Sequence, residues 1–457
     1  MSAAGHCTVT RSYLDQCLRE GADGLRAVAG DLPLPPHFSA AFPGRALARP
    51  LFAPRREMRR VAGLLTGFYD LLTSLPDRMF DGDVAAYCAA LGITERKARI
   101  LRRIHEPRPA LYGRADLHRT GASWKLLEFN IGSELGGMER GGGIPRALLE
   151  VPRFRQFAQE HGLGHVDPGD SVARMLRKAA EGVSCGDDPV IVLLESDGRL
   201  SQYLRYIRPF QEYMRARGVN LRLAELAQLR TRDGKIHLDG VPVDVVLRYV
   251  TLDQICEHPA GEELMEPVIQ AHENGRTAMV TPLSSCLYES KGTLAMLCAP
   301  RLRASLTEPE TALLDELLPW TRSTAEPLID VDGEQVDLVD HCRAHRADLI
   351  LKPTDELRGN GIVAGWEVTD REWERALRDS TGRNFVIQRK VPPQPEPVCE
   401  PLTGTVEDWL TTWGVYVTDE GYAGTYIRAL PAGGDSMVVS WDAKPQLTGV
   451  FEYSGTD

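Results

Sequence analysis

Two dispersed groups of residues in this chain have types and spacings that could do chemistry. In LLEFN, Glu128 and Asn130 stand two apart in a strand-like run, so their side chains share one face. A carboxylate and an amide oxygen projecting together make half a site for a hard cation such as Mg2+, which takes oxygen ligands. In LILKPTDELRGNG, Lys352 ends an apolar strand and is followed by Glu356 and a turn containing Gly359, Asn360 and Gly361. Glycines let backbone N–H groups approach a phosphate closely, and a lysine at a strand end adds a point charge. Each group also has a plainer reading: a solvent-facing strand for the first, a hairpin with a polar tip for the second.

The elements that must position these residues follow from periodicity and punctuation. Residues 1 to 110 read as mainly helical, interrupted by the Pro-rich DLPLPPHFSAAFPGR. After Ser123 a short apolar strand runs into a polar turn and a glycine-rich loop, GGMERGGGIP. PVIVLLES, LSQYLRYIRPFQEYMRARG and VNLRLAEL spell strand, helix, strand, and TRDGKIHLDG adds a hairpin with a DG turn, together a compact unit with a largely parallel sheet. KGTLAMLCAPRL and TEPETALLDELLP read as helices, the second opened by a Thr-x-x-Glu capping box. Then come the Lys352 strand, the glycine turn, IVAGWEV, a charged helix and the strand NFVIQRKV. That order is the layout of a nucleotide lid followed by an adenine-receiving strand. The expected divisions are 1–120 (helical), 121–187 (first part of a core), 188–275 (α/β substrate unit), 276–400 (lid and adenine strand) and 401–457 (C-terminal β segment).

Composition excludes some classes. With 53 basic and 64 acidic residues the formal net charge is −11, which weighs against a nucleic-acid or anionic-membrane binder. Residues 41–120 carry 15 basic and 8 acidic residues, but the arginines are spread over helical faces with few aromatics between them. No long apolar run occurs and the N-terminus lacks the layout of a signal peptide, so a cytoplasmic protein is expected. Nine scattered cysteines show no metal spacing and read as reduced thiols. There is no GxxxxGK[ST] loop, HExxH, GxSxG or HRD/DFG pair.

Taken in order, EFNIGSELGG, the PVIVLLE to VVLRY unit, LKPTDELRGNG, VIQRKV and WGVYV with its following Arg-bearing strand resemble the ATP-grasp superfamily, in its permuted branch typified by eukaryotic-type glutathione synthetases. The resemblance implies an α/β (α+β) ATP-grasp fold with an inserted α/β substrate-binding domain and a helical N-terminal region. It implies that Glu128, Asn130 and Glu356 hold Mg2+ on ATP, and that Lys352 contacts phosphate beneath a lid from Asp355 to Gly361, which includes Gly359 and Asn360. Gln388, Arg389, Lys390 and Val391 would line the adenine pocket. Arg114, Ser133, Arg248, Tyr249 and Arg428 would hold peptide-like substrates, with Arg428, Arg248 and Lys352 acting on the reacting groups. The chain departs from the pattern at Leu357 and Arg358 in the lid, at Arg389, at Leu430, at Tyr203 and Ile207, and at Val280, where a lysine is usual; Lys291 takes that phosphate-contact role. The implied activity is amide-bond formation between a carboxylate, such as the γ-carboxyl of glutamate or a short peptide, and an amino-acid amine through an acyl phosphate, with ATP and Mg2+. Small amino-acid or peptide substrates, a homodimer, and neither nucleic acid nor membrane are the expected partners. The alternatives are a phosphotransferase that stops at the phosphorylated carboxylate and a degenerate nucleotide-binding scaffold.

Overall fold

The strand Val406–Thr418, rich in β-branched and aromatic residues, is the spine of the largest sheet. In the computed structural model, which describes residues 6–35, 38, 46–121, 123–184, 186–354, 361–434, 436–439 and 443–455, six strands run in the order Leu51–Pro54, Gln446–Tyr453, Gly421–Pro431, Val406–Thr418, Tyr112–Thr120 and Ser123–Ile131, and Glu396–Cys399 also pairs with Val406–Thr418. All pairings are antiparallel except that of Leu51–Pro54 with Gln446–Tyr453. One face of this sheet is apolar: Ala115, Leu117, Trp124, Leu126, Phe129, Ile131, Trp413, Val415 and Ile427 join a core with helices Arg55–Thr73 and Glu308–Leu317. The opposite face carries the charged candidates.

A β-bulge makes that division possible. Asp116 pairs with Glu128 but Leu117 pairs with Leu126, leaving Leu127 as an extra residue. Trp124 and Leu126 lie in the core, so strict alternation would bury Glu128 and Asn130 beside them. The extra residue shifts the phase, sending Phe129 and Ile131 to the core and Glu128 and Asn130 to the other face.

The α/β unit is a four-stranded parallel sheet ordered Ala278–Val280, Val245–Arg248, Val190–Glu195, Asn220–Glu225, with helix Leu200–Arg215 as the crossover between its last two strands. Its hairpin turns at Asp233 (φ 53°) and Gly234 (φ 76°), the left-handed pair that the DG signal requires. A smaller antiparallel sheet runs Thr321–Ser323, Phe385–Arg389, Leu349–Pro353, Val363–Ala364. Leu349, Leu351 and Ile387 on one of its faces pack with Leu338, Cys342, Trp373 and Leu377 from the helices Leu338–Ala344 and Asp370–Ser380.

The structure corrects two sequence expectations. The glycine-rich segment after Gly137 is not a loop but the start of helix Met138–Glu150. The reason is close packing: a Cβ on Gly142 would lie 2.0 Å from the Tyr213 hydroxyl and 2.2 Å from Asp167 Oδ1, and one on Gly141 would lie 3.3 Å from the Thr425 carbonyl. KGTLAMLCAPRL is two short helices, Gly292–Leu297 and Pro300–Arg303, because the second begins at a proline. The Thr307/Glu310 capping box is formed as read. The eight described cysteines are free, and among the described residues no helix is long and apolar enough to cross a membrane.

Candidate active site

On the charged face of the large sheet, Asn130 Nδ2 donates to Glu128 Oε1 at 3.2 Å, as their shared strand face requires. Lys291, immediately before helix Gly292–Leu297, places Nζ 3.5 Å from Glu128 Oε2. Lys352 reaches across from the smaller sheet and is only 6% exposed. Its Nζ donates to Gln388 Oε1 at 2.7 Å and to the carbonyl of the bulged Leu127 at 3.2 Å. Gln388 in turn donates to Thr321 Oγ1 at 3.1 Å. Burial lowers the Lys352 ammonium to about 8, against the attraction of Glu128. Burial alone would raise the Glu128 carboxyl, yet Lys291, then Lys352, Arg428 and Arg114, hold it well below the usual carboxylate range.

Behind this cluster, Asp116 accepts from Arg114 Nε at 3.0 Å and from Arg428 Nη2 at 2.6 Å. Arg114 also donates to the Gly136 carbonyl at 2.9 Å and lies over the Tyr426 ring. Arg428 Nε is buried and has no hydrogen-bond partner. Four cations (Lys291, Lys352, Arg114, Arg428) thus face two carboxylates (Glu128, Asp116), a local charge of +4 − 2 = +2. A carboxylate with an amide oxygen suits a hard cation, and the described residues contain no group of three His, Cys, Asp or Glu side chains able to hold a metal. That donor set fits Mg2+, which keeps waters and substrate phosphate oxygens as its remaining ligands.

The other predicted residues have these surroundings. Arg248 is fully buried and its five N–H groups are all engaged: Nε with the Thr281 carbonyl, Nη1 with the Val250 carbonyl and Glu134, Nη2 with Thr281 Oγ1 and Ser285 Oγ. Ser133 is buried and bonded to Thr281. Tyr249 stacks on Phe210 at 6.1 Å. Of the adenine-strand residues, Gln388 faces Lys352, whereas Arg389 turns its side chain to the opposite face, onto Asp332 and over Trp320. The Arg389 and Lys390 N–H groups donate to the Trp320 and Asp348 carbonyls. Lys390 Nζ sits 4.4 Å from the Trp366 ring centroid. The Val391 carbonyl accepts from His118 Nδ1 at 2.6 Å. Glu356, Gly359, Asn360 and the rest of the lid before Gly361 lie outside the described residues. Gly361 has φ 69°, a left-handed conformation that favours glycine.

Sequence reasoning missed Asp116, Glu134, Glu195 and Glu289. Asp116 had a signal, since Arg-x-Asp on a strand puts both side chains on one face. So had Glu195, at the carboxyl end of a parallel strand, where ligands of open α/β sheets bind. Burial pushes Glu195 up to about 7; burial and then the neighbouring Glu134 carboxylate push Glu289 well above the usual range.

Helices arranged over several sheets, with a lysine-bearing small sheet set against the charged face of a larger one, define a mixed α/β fold of the glutathione synthetase-like, ATP-grasp type. The chain is similar in structure to a glutathione synthetase-like effector from Globodera pallida in its apo form, at 12% identity and a TM-score of 0.59, over 98% of this chain and 99% of that one. A looser match, with a TM-score of 0.39 and 14% identity over 80% of this chain and 82% of the other, is to a Methylobacillus flagellatus KT protein provisionally named a gamma-glutamylcysteine synthetase. No protein-family model and no curated protein matches the chain.

Proposed function

We propose that this protein is an ATP-dependent ligase that joins a carboxylate to an amine through an acyl phosphate, releasing ADP and phosphate. The observation that carries the reading is the +2 cluster around Glu128, with the unpartnered Arg428 Nε beside it. The structural likeness to a glutathione synthetase-like protein supports it.

In such a reaction a substrate carboxylate attacks the γ-phosphorus, ADP leaves, and an amine then attacks the carbonyl carbon of the acyl phosphate and expels phosphate. Unit charges 4 Å apart repel by ~4 kcal/mol at an effective dielectric near 20, so bringing two anions together needs compensating charge. Lys352 and Lys291 supply it at Glu128, held by the small sheet and by the helix start. Mg2+, held by Glu128 and Asn130 when bound, would neutralise phosphate oxygens. Arg428, fixed by Asp116, offers its free Nε to the oxyanion that develops as the amine attacks. The chain orients and neutralises; it supplies no covalent nucleophile.

Pairwise screening of amino acids and γ-glutamyl dipeptides for ATP-dependent phosphate release, with mass spectrometry of the product, tests this. The expected result is an amide formed only when acid, amine and Mg·ATP are all present, and lost in Glu128→Ala. Phosphate release with no amide would instead support the phosphotransferase. The complete pairing of Arg248 favours a second reading, a nucleotide-binding scaffold, and calorimetry separates it: the scaffold binds nucleotide and turns nothing over.

A further inference from the structure

The parallel sheet ends in a buried guanidinium. Arg248 closes strand Val245–Arg248, between Glu195 at the end of Val190–Glu195 and Thr281 just past Ala278–Val280. The carboxyl ends of such strands are where open α/β sheets bind ligands. Arg248 Nε and Nη1 are anchored on the Thr281 and Val250 carbonyls, and Nη2 meets the hydroxyls of Thr281 and Ser285 at 3.2 and 3.4 Å. A guanidinium fork beside two hydroxyls is a cradle for a carboxylate.

Glu134 fills it, with Oε1 3.5 Å from Nη1 and Oε2 3.4 Å from Nη2. The fit is loose. Direct guanidinium–carboxylate hydrogen bonds measure roughly 2.7–2.9 Å, and Glu134 Oε2, though buried, accepts none. The loop explains the mismatch: Ser133 is tied to Thr281, and the carboxylate folds back over Gly132, where a Cβ would lie 2.9 Å from Oε2. The chain thus delivers its own carboxylate on a tether that stops short of ideal contact. A free carboxylate would seat better, but the tether gives Glu134 a high effective concentration. An incoming anion also meets Glu195 and Glu289, near enough that, after burial, the Glu134 charge pushes both carboxyls up.

We infer that Glu134 is a tethered carboxylate standing where a substrate carboxylate would seat on Arg248, so that this chain selects substrates carrying an amine or amide, not a carboxylate, at that point. The word substrate rests on the ligase reading; the occupied cradle does not.

Calorimetric titration of the full chain with formate tests the occupancy. Glu134→Ala is expected to bind formate about tenfold more tightly than wild type or better, a change of about 1.4 kcal/mol. Glu134→Gln, which leaves the slot filled, is expected to gain less. Refolding yield of Glu134→Ala in formate against chloride at equal ionic strength reads the same contact if that variant does not fold in plain buffer. No preference for formate in Glu134→Ala by either measure, or an equal gain in Glu134→Gln, overturns the inference. Turnover tests the selection: in Glu134→Ala the ratio of ATP-dependent phosphate release with an amino acid to that with its amide is expected to rise about tenfold, and an unchanged ratio overturns it. A protein that shows the formate pattern but turns over no substrate pair removes the ligase reading and leaves the occupied cradle standing.

Discussion

Arg428 illustrates what a single side chain is asked to do. Its Nη2 grips Asp116 while its Nε stays unpartnered, a division of labour that only a planar fork permits. Arg428→Lys, with one point charge, is expected to lower amide formation about 100-fold while changing ATP affinity less than about threefold, measured by steady-state rates beside nucleotide titration. His118 makes a second residue-scale case. The Val391 carbonyl can only accept, so Nδ1 carries the proton and Nε2 accepts from Thr412 Oγ1 at 3.1 Å. Burial, the largest cause, lowers this imidazole to about 4. The unfolded chain therefore binds a proton at higher pH than the folded one does. The stability this group contributes is full above about 6.5 and falls as pH drops toward 4, by roughly 3 kcal/mol at most. Urea unfolding from pH 7 to pH 4 is expected to show a steeper loss for wild type than for His118→Gln, and parallel curves would refute the assignment.

At the scale of elements, helix Met138–Glu150 reverses an ordinary rule. Replacing glycine by alanine inside a helix normally stabilises by about 1 kcal/mol. At Gly142 the new methyl would meet Tyr213 and Asp167, which is itself bound by Arg146 and Arg217. Gly142→Ala is therefore expected to destabilise, by about 1–3 kcal/mol in chemical denaturation. The same helix shows where local reading stops. The hairpin at Asp233–Gly234 and the Thr307 cap were legible because turn and cap chemistry resides in adjacent residues. The glycines were not, because their partners lie on other elements. In the site, the shared face of Glu128 and Asn130 was legible from a spacing of two, and Lys352 from its strand end. The engagement of Arg248 by Glu134 was not, because the contact spans 114 residues of chain.

For the molecule as a whole, the net charge of −11 coexists with a site of +2, so bulk charge says little about a polyphosphate held within a screening length of ~8 Å. The two sheets that build the site are joined by a few bonds: Lys352 to the Leu127 carbonyl, His118 to the Val391 carbonyl, and the Gln394 N–H to the Arg119 carbonyl. A ligand gripped from both sides adds to these. Mg·ATP at a hundredfold excess over its Kd is expected to stabilise the fold by about 2.7 kcal/mol, read as a rise in Tm that Lys352→Met diminishes. The bulge at Leu127 bears on how such a chain can vary through its history. Upstream of that residue the even-numbered side chains face the core, and downstream the odd-numbered ones do. Losing the Leu127 codon would restore plain alternation and leave Glu128 and Asn130 on the site face, but would remove the bulged carbonyl that Lys352 grips. Losing one residue beyond the bulge, by contrast, would turn over the side chains that follow it, so descendants that keep the site can shorten this strand by one only at the bulge.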